Sequence, residues 1–124
     1  MPTVQALQDA AALYNRQIQE LTARIYEDGF VSCEEATEGT RYYASVRPHL
    51  RRYHRLLHGQ ILRLYYHHVH QDVTAANEML RTYHVILHDF DKLLNDSKVM
   101  LKIFADVLND CPDVPVETES KTDA

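Results

Sequence analysis

Two pairs of histidines have the spacing that most directly suggests chemistry. His54 and His58 are four residues apart, and so are His84 and His88. Side chains at that spacing project from one side of a helix. If the two helices form a hairpin that turns near Gln71, both pairs lie at the same distance from the turn and therefore at the same height. Imidazole is a common ligand of Zn²⁺, Ni²⁺ and Cu²⁺, so the sequence predicts a candidate four-histidine metal site.

Other interpretations of these histidines stay open. All four flank the apolar stripes of their helices, so we favour partly exposed side chains at the edge of a helix interface. No Glu-x-x-His pattern of the kind found in di-iron bundles accompanies them. A pH-sensitive interface is a third interpretation, because imidazole gains a positive charge below about pH 6.5. A second cluster of His67, His68 and His70 is typical of a solvated helix end.

The middle of the chain is basic and rich in tyrosine. Residues 41–70 hold six Arg and no Asp or Glu, although the whole chain has a formal charge of −5. Arginine and tyrosine are enriched at protein interfaces, so this segment predicts a face that binds a protein partner, and an acidic one fits best. The predicted contact residues are Arg47, Arg51, Arg52, Arg55, Arg63, Tyr42 and Tyr66.

Nucleic acid is the alternative partner for the same segment. Arginines alternate with aromatic residues across residues 41–66, and nucleic-acid surfaces use this mixture to contact phosphates and to stack on bases. Two of the tyrosines, Tyr43 and Tyr53, lie instead on the predicted core stripe. The negative charge of the whole chain also weakens non-specific attraction to phosphate. An acidic protein partner is therefore favoured over nucleic acid.

Three amphipathic helices must position these residues. Apolar residues recur at spacings of three and four over residues 4–25, 36–64 and 73–111. This spacing places them on one face of a helix and predicts a buried stripe. The third stripe has a second apolar row beside it, which is typical of a bundle core. A helix over residues 73–110 would be about 57 Å long.

Local signals mark the ends of these helices. Gly29 follows the first stripe and suits a helix stop, whereas Ser32 and Glu35 fit a capping box that opens the second helix. Pro48 interrupts the second stripe without changing its phase, so we expect a kink near Pro48. Asp72 or Thr74 is expected to cap the third helix.

The predicted fold is all-α: an elongated, antiparallel, up-down-up three-helix bundle. With only three Gly and four Pro, the chain has too few turn-forming residues for a many-stranded β fold. In helix number and length the outline is similar to that of spectrin-type repeats. We expect one helical-bundle domain over residues 1–111 and a flexible acidic tail over residues 112–124.

The two cysteines are expected near one end of the bundle. We interpret Cys111 as a buried structural thiol because it lies on the third stripe. A conditional disulfide with Cys33 is the alternative, and it needs the two Cα atoms to lie within about 7 Å.

These features together predict a non-catalytic interaction module, such as an adaptor, an assembly subunit or an inhibitor. The sequence lacks the common phosphate-binding, nucleophile-elbow and zinc-protease motifs, so we do not expect an enzyme. Self-association into a homo-oligomer is plausible, since the narrow first helix covers one side incompletely. Without an apolar run of about 18 residues or a signal-peptide pattern, no membrane contact and a cytoplasmic or otherwise intracellular location are expected.

Overall fold

The structure, a computed structural model, describes residues 2–67 and 73–112, and all regular structure in this range is helical. The helices are α1 (Val4–Ile25), α2 (Cys33–His67) and α3 (Val73–Asn109). The prediction of an all-α chain with three long helices is confirmed. The expected turn, His68, His70, a cap at Asp72 and residues 113–124 of the predicted tail lie outside the described residues.

Both ends of α1 follow from local hydrogen bonding. The Thr3 hydroxyl accepts a hydrogen bond from the Ala6 amide at 3.0 Å and so caps the first turn. The helix ends at Ile25, and four residues later Gly29 adopts a φ of +83°. Glycine accepts this left-handed conformation without steric cost, so the chain can turn toward α2.

The predicted capping box of α2 is confirmed. The Ser32 amide donates to Glu35 Oε1 at 2.9 Å, and the Glu35 amide donates to Ser32 Oγ at 3.1 Å. The two residues thus satisfy two amides that have no partner within the helix. From there α2 continues as one helix through the exposed Pro48.

The apolar stripes form the core. Most of their residues are buried, including Leu7 and Ile25 of α1, Leu50 of α2 and Phe90 of α3. Met79, predicted for the second row of α3, is instead 41% exposed. The α2–α3 contact is the most extensive, and α1 packs more on α3 than on α2.

Aromatic rings connect all three helices near the middle of the core. The Tyr53 ring of α2 stacks on the Phe90 ring of α3, with centroids 5.2 Å apart and planes 17° apart. Tyr53 also contacts Tyr14 of α1, with ring centroids 6.3 Å apart and planes 58° apart. Offset aromatic pairs of this kind add to the stabilisation that burial provides.

The interpretation of Cys111 as a buried unpaired thiol is wrong. Cys33 and Cys111 form a disulfide, with Cα atoms 6.0 Å apart and a sequence separation of 78. Cys33 is exposed and Cys111 is half-buried. Their predicted location at one end of the molecule is confirmed, and the bond ties the start of α2 to the end of α3. The apolar spacing of the third stripe was a weak guide to the burial of Cys111, because this residue follows the end of α3 at Asn109.

Two helical glycines differ in what surrounds them. A methyl group at Gly39 would lie within 3.0 Å of the Phe104 ring, whereas one at Gly59 would have no other atom within 4 Å. Alanine improves helix propensity by about 1 kcal/mol at either position. Overpacking a buried site costs about 1–3 kcal/mol, and this cost applies to Gly39 alone.

We therefore expect opposite effects from the same substitution. Urea denaturation should give Gly59→Ala a free energy of unfolding about 1 kcal/mol above wild type. Gly39→Ala should lose up to about 2 kcal/mol, because the cost of shifting the Phe104 ring exceeds the gain in helix propensity. Equal changes in the two variants would contradict the close α2–α3 approach at Gly39.

Candidate interaction surface on α2

Four of the predicted contact arginines lie on the exposed side of α2. Arg51, Arg52, Arg55 and Arg63 are all exposed. Within residues 2–67 and 73–112 none of the four has a carboxylate partner, in contrast to Arg24, whose Nη2 lies 2.8 Å from Glu38 Oε2. We call these four residues the arginine face.

Apolar and aromatic side chains accompany the arginine face. Leu62 is 45% exposed and Tyr66 is 78% exposed. Between Arg55 and Arg63 a shallow cleft of about 320 Å³ also has Leu56, Gly59 and Gln60 in its walls. The arrangement combines guanidinium groups with an apolar surface, which is the chemistry of many protein interfaces.

Arg47, also in the predicted contact set, points into the bundle. Its Nη1 donates to the Leu94 carbonyl at 3.0 Å and to Ser97 Oγ at 2.5 Å. Burial lowers the pKa of Arg47, and the nearby positive charge of Arg51 lowers it further. Ser97 is itself fully buried, so this polar contact lies inside the α2–α3 interface.

Tyr42, the other half-buried member of the set, also has a partner within the chain. Its hydroxyl donates to Gln17 Oε1 of α1 at 3.1 Å. Burial raises the pKa of Tyr42 to about 12, with smaller contributions from Tyr43 and Tyr14. The spacing of residues along α2 could not distinguish Arg47 and Tyr42 from the exposed members of the set. Both are half-buried, at the boundary between the buried and the exposed side of the helix.

The two kinds of arginine should respond differently to truncation. Arg47→Ala removes charge-assisted hydrogen bonds within the bundle, and we expect it to lower the free energy of unfolding by about 2 kcal/mol. Arg51→Ala removes an exposed side chain that has no carboxylate partner among the described residues, and it should change the free energy of unfolding by less than about 0.5 kcal/mol. Chemical denaturation of both variants measures the difference. A loss in Arg51→Ala as large as that in Arg47→Ala would contradict these assignments.

The four predicted metal-binding histidines differ in burial, with His54 half-buried beside α3 and the other three exposed. His54 Nε2 lies 2.6 Å from Asp91 Oδ1, a contact that becomes an ion pair when the imidazole is protonated. His58, His84 and His88 are exposed. Across the described ranges no three His, Cys, Asp or Glu side chains come together as a metal site would require. The four-histidine site therefore stays a prediction.

Sequence reasoning missed a groove between α1 and α3. It has a volume of about 500 Å³, and its lining includes Ile18, Thr22, Tyr43, Leu93 and Met100. A smaller groove of about 240 Å³ continues along the same two helices and shares Leu93 with it. The only hint in the sequence is the narrow stripe of α1, which leaves part of α3 uncovered.

Comparison of the chain with protein families, with characterised proteins and with solved structures found no match. A search of the described helices for one long and apolar enough to cross a bilayer also found none.

Proposed function

We propose that this protein is a non-catalytic interaction module whose arginine face binds an acidic protein partner. The observation that carries the proposal is that Arg51, Arg52, Arg55 and Arg63 are exposed and have no carboxylate partner in the described part of the chain. An adaptor, an assembly subunit and an inhibitor all fit this mode of binding.

Local charge supports attraction of an acidic surface in spite of the net charge of −5. Charges on a protein surface act over about 8 Å at physiological ionic strength, so a partner at α2 responds mainly to the local arginines. A guanidinium group binds a carboxylate through two parallel hydrogen bonds. Leu62 and Tyr66 supply the apolar area that such an interface also needs.

The proposal includes an antiparallel, up-down-up order of the helices, with one domain over residues 1–111 and a kink near Pro48. Contacts that pair early residues of α2 with late residues of α3 support this order. They are Cys33 with Cys111, Arg47 with Ser97, and His54 with Asp91. In this arrangement the arginine face lies on the side of α2 that faces away from α3.

The location of the protein is part of the proposal and can be tested. Disulfides persist in oxidising compartments and are rare in the cytosol. The Cys33–Cys111 bond therefore favours an oxidising compartment over the cytoplasmic or otherwise intracellular location that the sequence alone predicts. Alkylation of thiols in protein taken directly from cells, followed by mass measurement, distinguishes the two.

The test of the arginine face uses a defined acidic probe. A fluorescent amphipathic peptide rich in Glu and Leu is titrated with wild type, with Arg51→Glu/Arg55→Glu and with Arg16→Glu/Arg81→Glu. The last pair is the matched control, because Arg16 and Arg81 are exposed on α1 and α3 and the change in net charge is the same. We expect Arg51→Glu/Arg55→Glu to weaken binding at least tenfold and the control to change it less than threefold, because close ion pairs contribute more than distant charge.

Two results would contradict the proposal. Equal losses in both double variants would mean that net charge alone drives the binding. Tighter binding of a duplex or single-stranded DNA of similar length, with affinity falling steeply between 50 and 200 mM salt, would favour the nucleic-acid alternative.

The metal-binding alternative has its own test. Native mass spectrometry of the untagged protein, before and after chelation, reads both bound Zn²⁺, Ni²⁺ or Cu²⁺ and the number of chains in the particle. A stoichiometric ion that is lost in His58→Ala/His84→Ala would favour the four-histidine site. The same spectra test the proposed homo-oligomer.

A further inference from the structure

The larger groove between α1 and α3 has the composition of a small-molecule site. Ile18 of α1 and Leu93 and Met100 of α3 form apolar parts of its wall. Val99, also in the lining, is 57% exposed. The volume of about 500 Å³ lies within the range of about 300–1,000 Å³ that is typical of ligand pockets.

The floor of the groove contains a polar group without a partner. Tyr43 of α2 has 0% exposure, and its hydroxyl is buried without a hydrogen bond to any residue of the described ranges. Burial raises the pKa of Tyr43, Thr22 lowers it and Asp96 raises it again. Tyr43 lines the groove together with Thr22, the side chain that acts on its hydroxyl, so the hydroxyl end of Tyr43 lies on the groove side of the ring. The Thr22 side chain lies close enough to the phenol to lower its pKa, but within the described part of the chain it does not complete a hydrogen bond with the Tyr43 hydroxyl.

A buried tyrosine hydroxyl normally has a hydrogen-bond partner, because leaving it unpaired destabilises the folded chain. Tyr43 is an exception in the middle of a dense aromatic cluster, where its ring contacts those of Tyr42 and Phe104. Phenylalanine would fill the same space without this cost. Packing of the bundle alone therefore does not explain why this position has a tyrosine hydroxyl.

We propose that the groove binds a small, neutral, hydrophobic molecule whose carbonyl oxygen accepts a hydrogen bond from Tyr43. The hydroxyl supplies the donor, and the apolar walls bind the rest of the molecule. A neutral ligand fits because the lining holds one acidic residue, Asp96, and one basic residue, Lys92, so it favours neither sign of charge. Since the hydroxyl is buried, a side chain of the groove wall must move before a ligand can reach it. Met100 is unbranched and flexible, so it can move at low cost.

Such a site makes two opposite predictions for Tyr43→Phe. Without a ligand, removing an unpaired buried hydroxyl should raise the melting temperature, by about 4 °C for a chain of this size. With a ligand, the same change removes a hydrogen bond and should weaken binding about fivefold. A residue that serves packing alone would show no loss of binding.

The experiment uses Nile red, a neutral apolar dye with a carbonyl oxygen and an emission that brightens in apolar sites. The dye is titrated with wild type, Tyr43→Phe, Val99→Asp and Leu62→Asp. The two Asp variants introduce the same charge into exposed apolar positions, inside the groove lining at Val99 and on α2 at Leu62. We expect Tyr43→Phe and Val99→Asp to weaken binding about fivefold or more and Leu62→Asp to leave it unchanged.

Three outcomes would overturn the inference. They are the absence of dye binding to wild type, equal dye affinity of wild type and Tyr43→Phe, and a lower melting temperature of Tyr43→Phe. The inference does not rest on the proposed protein partner. Arg51→Glu/Arg55→Glu should keep the dye affinity of wild type, so failure of one proposal is distinguishable from failure of the other.

Discussion

Removal of the Cys33–Cys111 disulfide should lower the free energy of unfolding by about 4 kcal/mol. The bond closes a loop of 78 residues, and in the chain-entropy model a loop of that length restricts the unfolded state strongly. Urea denaturation of Cys33→Ser/Cys111→Ser against wild type measures the loss. Reduction of wild type with dithiothreitol should give the same shift.

The single variants provide the control for this prediction. Cys33→Ser and Cys111→Ser each break the same bond, so each should lose about as much stability as the double variant. If the stability loss of the double variant instead equals the sum of the losses of the two single variants, the cysteines act independently. Such a result would contradict a disulfide between the ends of α2 and α3.

Phe90→Ala should destabilise the protein by a similar amount, about 4 kcal/mol. Phe90 is fully buried, and its ring stacks on Tyr53, which in turn meets Tyr14 of α1. The substitution leaves a cavity at the point where rings from all three helices meet. Thermal and urea denaturation, followed by circular dichroism, measure the loss.

Two variants separate the cavity from the general effect of losing apolar area. Phe90→Leu keeps much of the buried volume and should cost well under half as much. Val85→Ala removes methyl groups from a side chain that is 59% exposed, and we expect less than about 0.5 kcal/mol. A Phe90→Ala variant as stable as Val85→Ala would mean that the rings do not pack as described.

The sequence predicted the helices well because their signals are local. Apolar spacing fixes which residues share one face of a helix, and the reciprocal hydrogen bonds of Ser32 and Glu35 need only the geometry of one turn. Similar chain distances from the expected turn at Gln71 also predicted Cys33 and Cys111 near one end, and the two cysteines are bonded to each other. Each of these inferences uses helix geometry and chain length alone.

The candidate surface was predictable only as a segment. Composition located the basic, tyrosine-rich part of the chain, but Arg47 and Arg51 look alike in the sequence and have different environments in the bundle. The rotation of α2 against α3 decides which guanidinium group enters the interface. That rotation depends on the packing of many side chains at once, and helical periodicity fixes it only to within about one residue.

The sequence by itself thus determined the number, the length and the buried faces of the helices. Only the tertiary structure decided that Cys33 and Cys111 form a disulfide and that Arg47 donates a hydrogen bond to the Leu94 carbonyl of α3. It also decided that a groove lined by Tyr43 lies between α1 and α3. The physical reason is the range of the interactions. A stripe arises from spacing along one helix, whereas a disulfide, an interhelical hydrogen bond or a groove requires the distance between side chains of different helices.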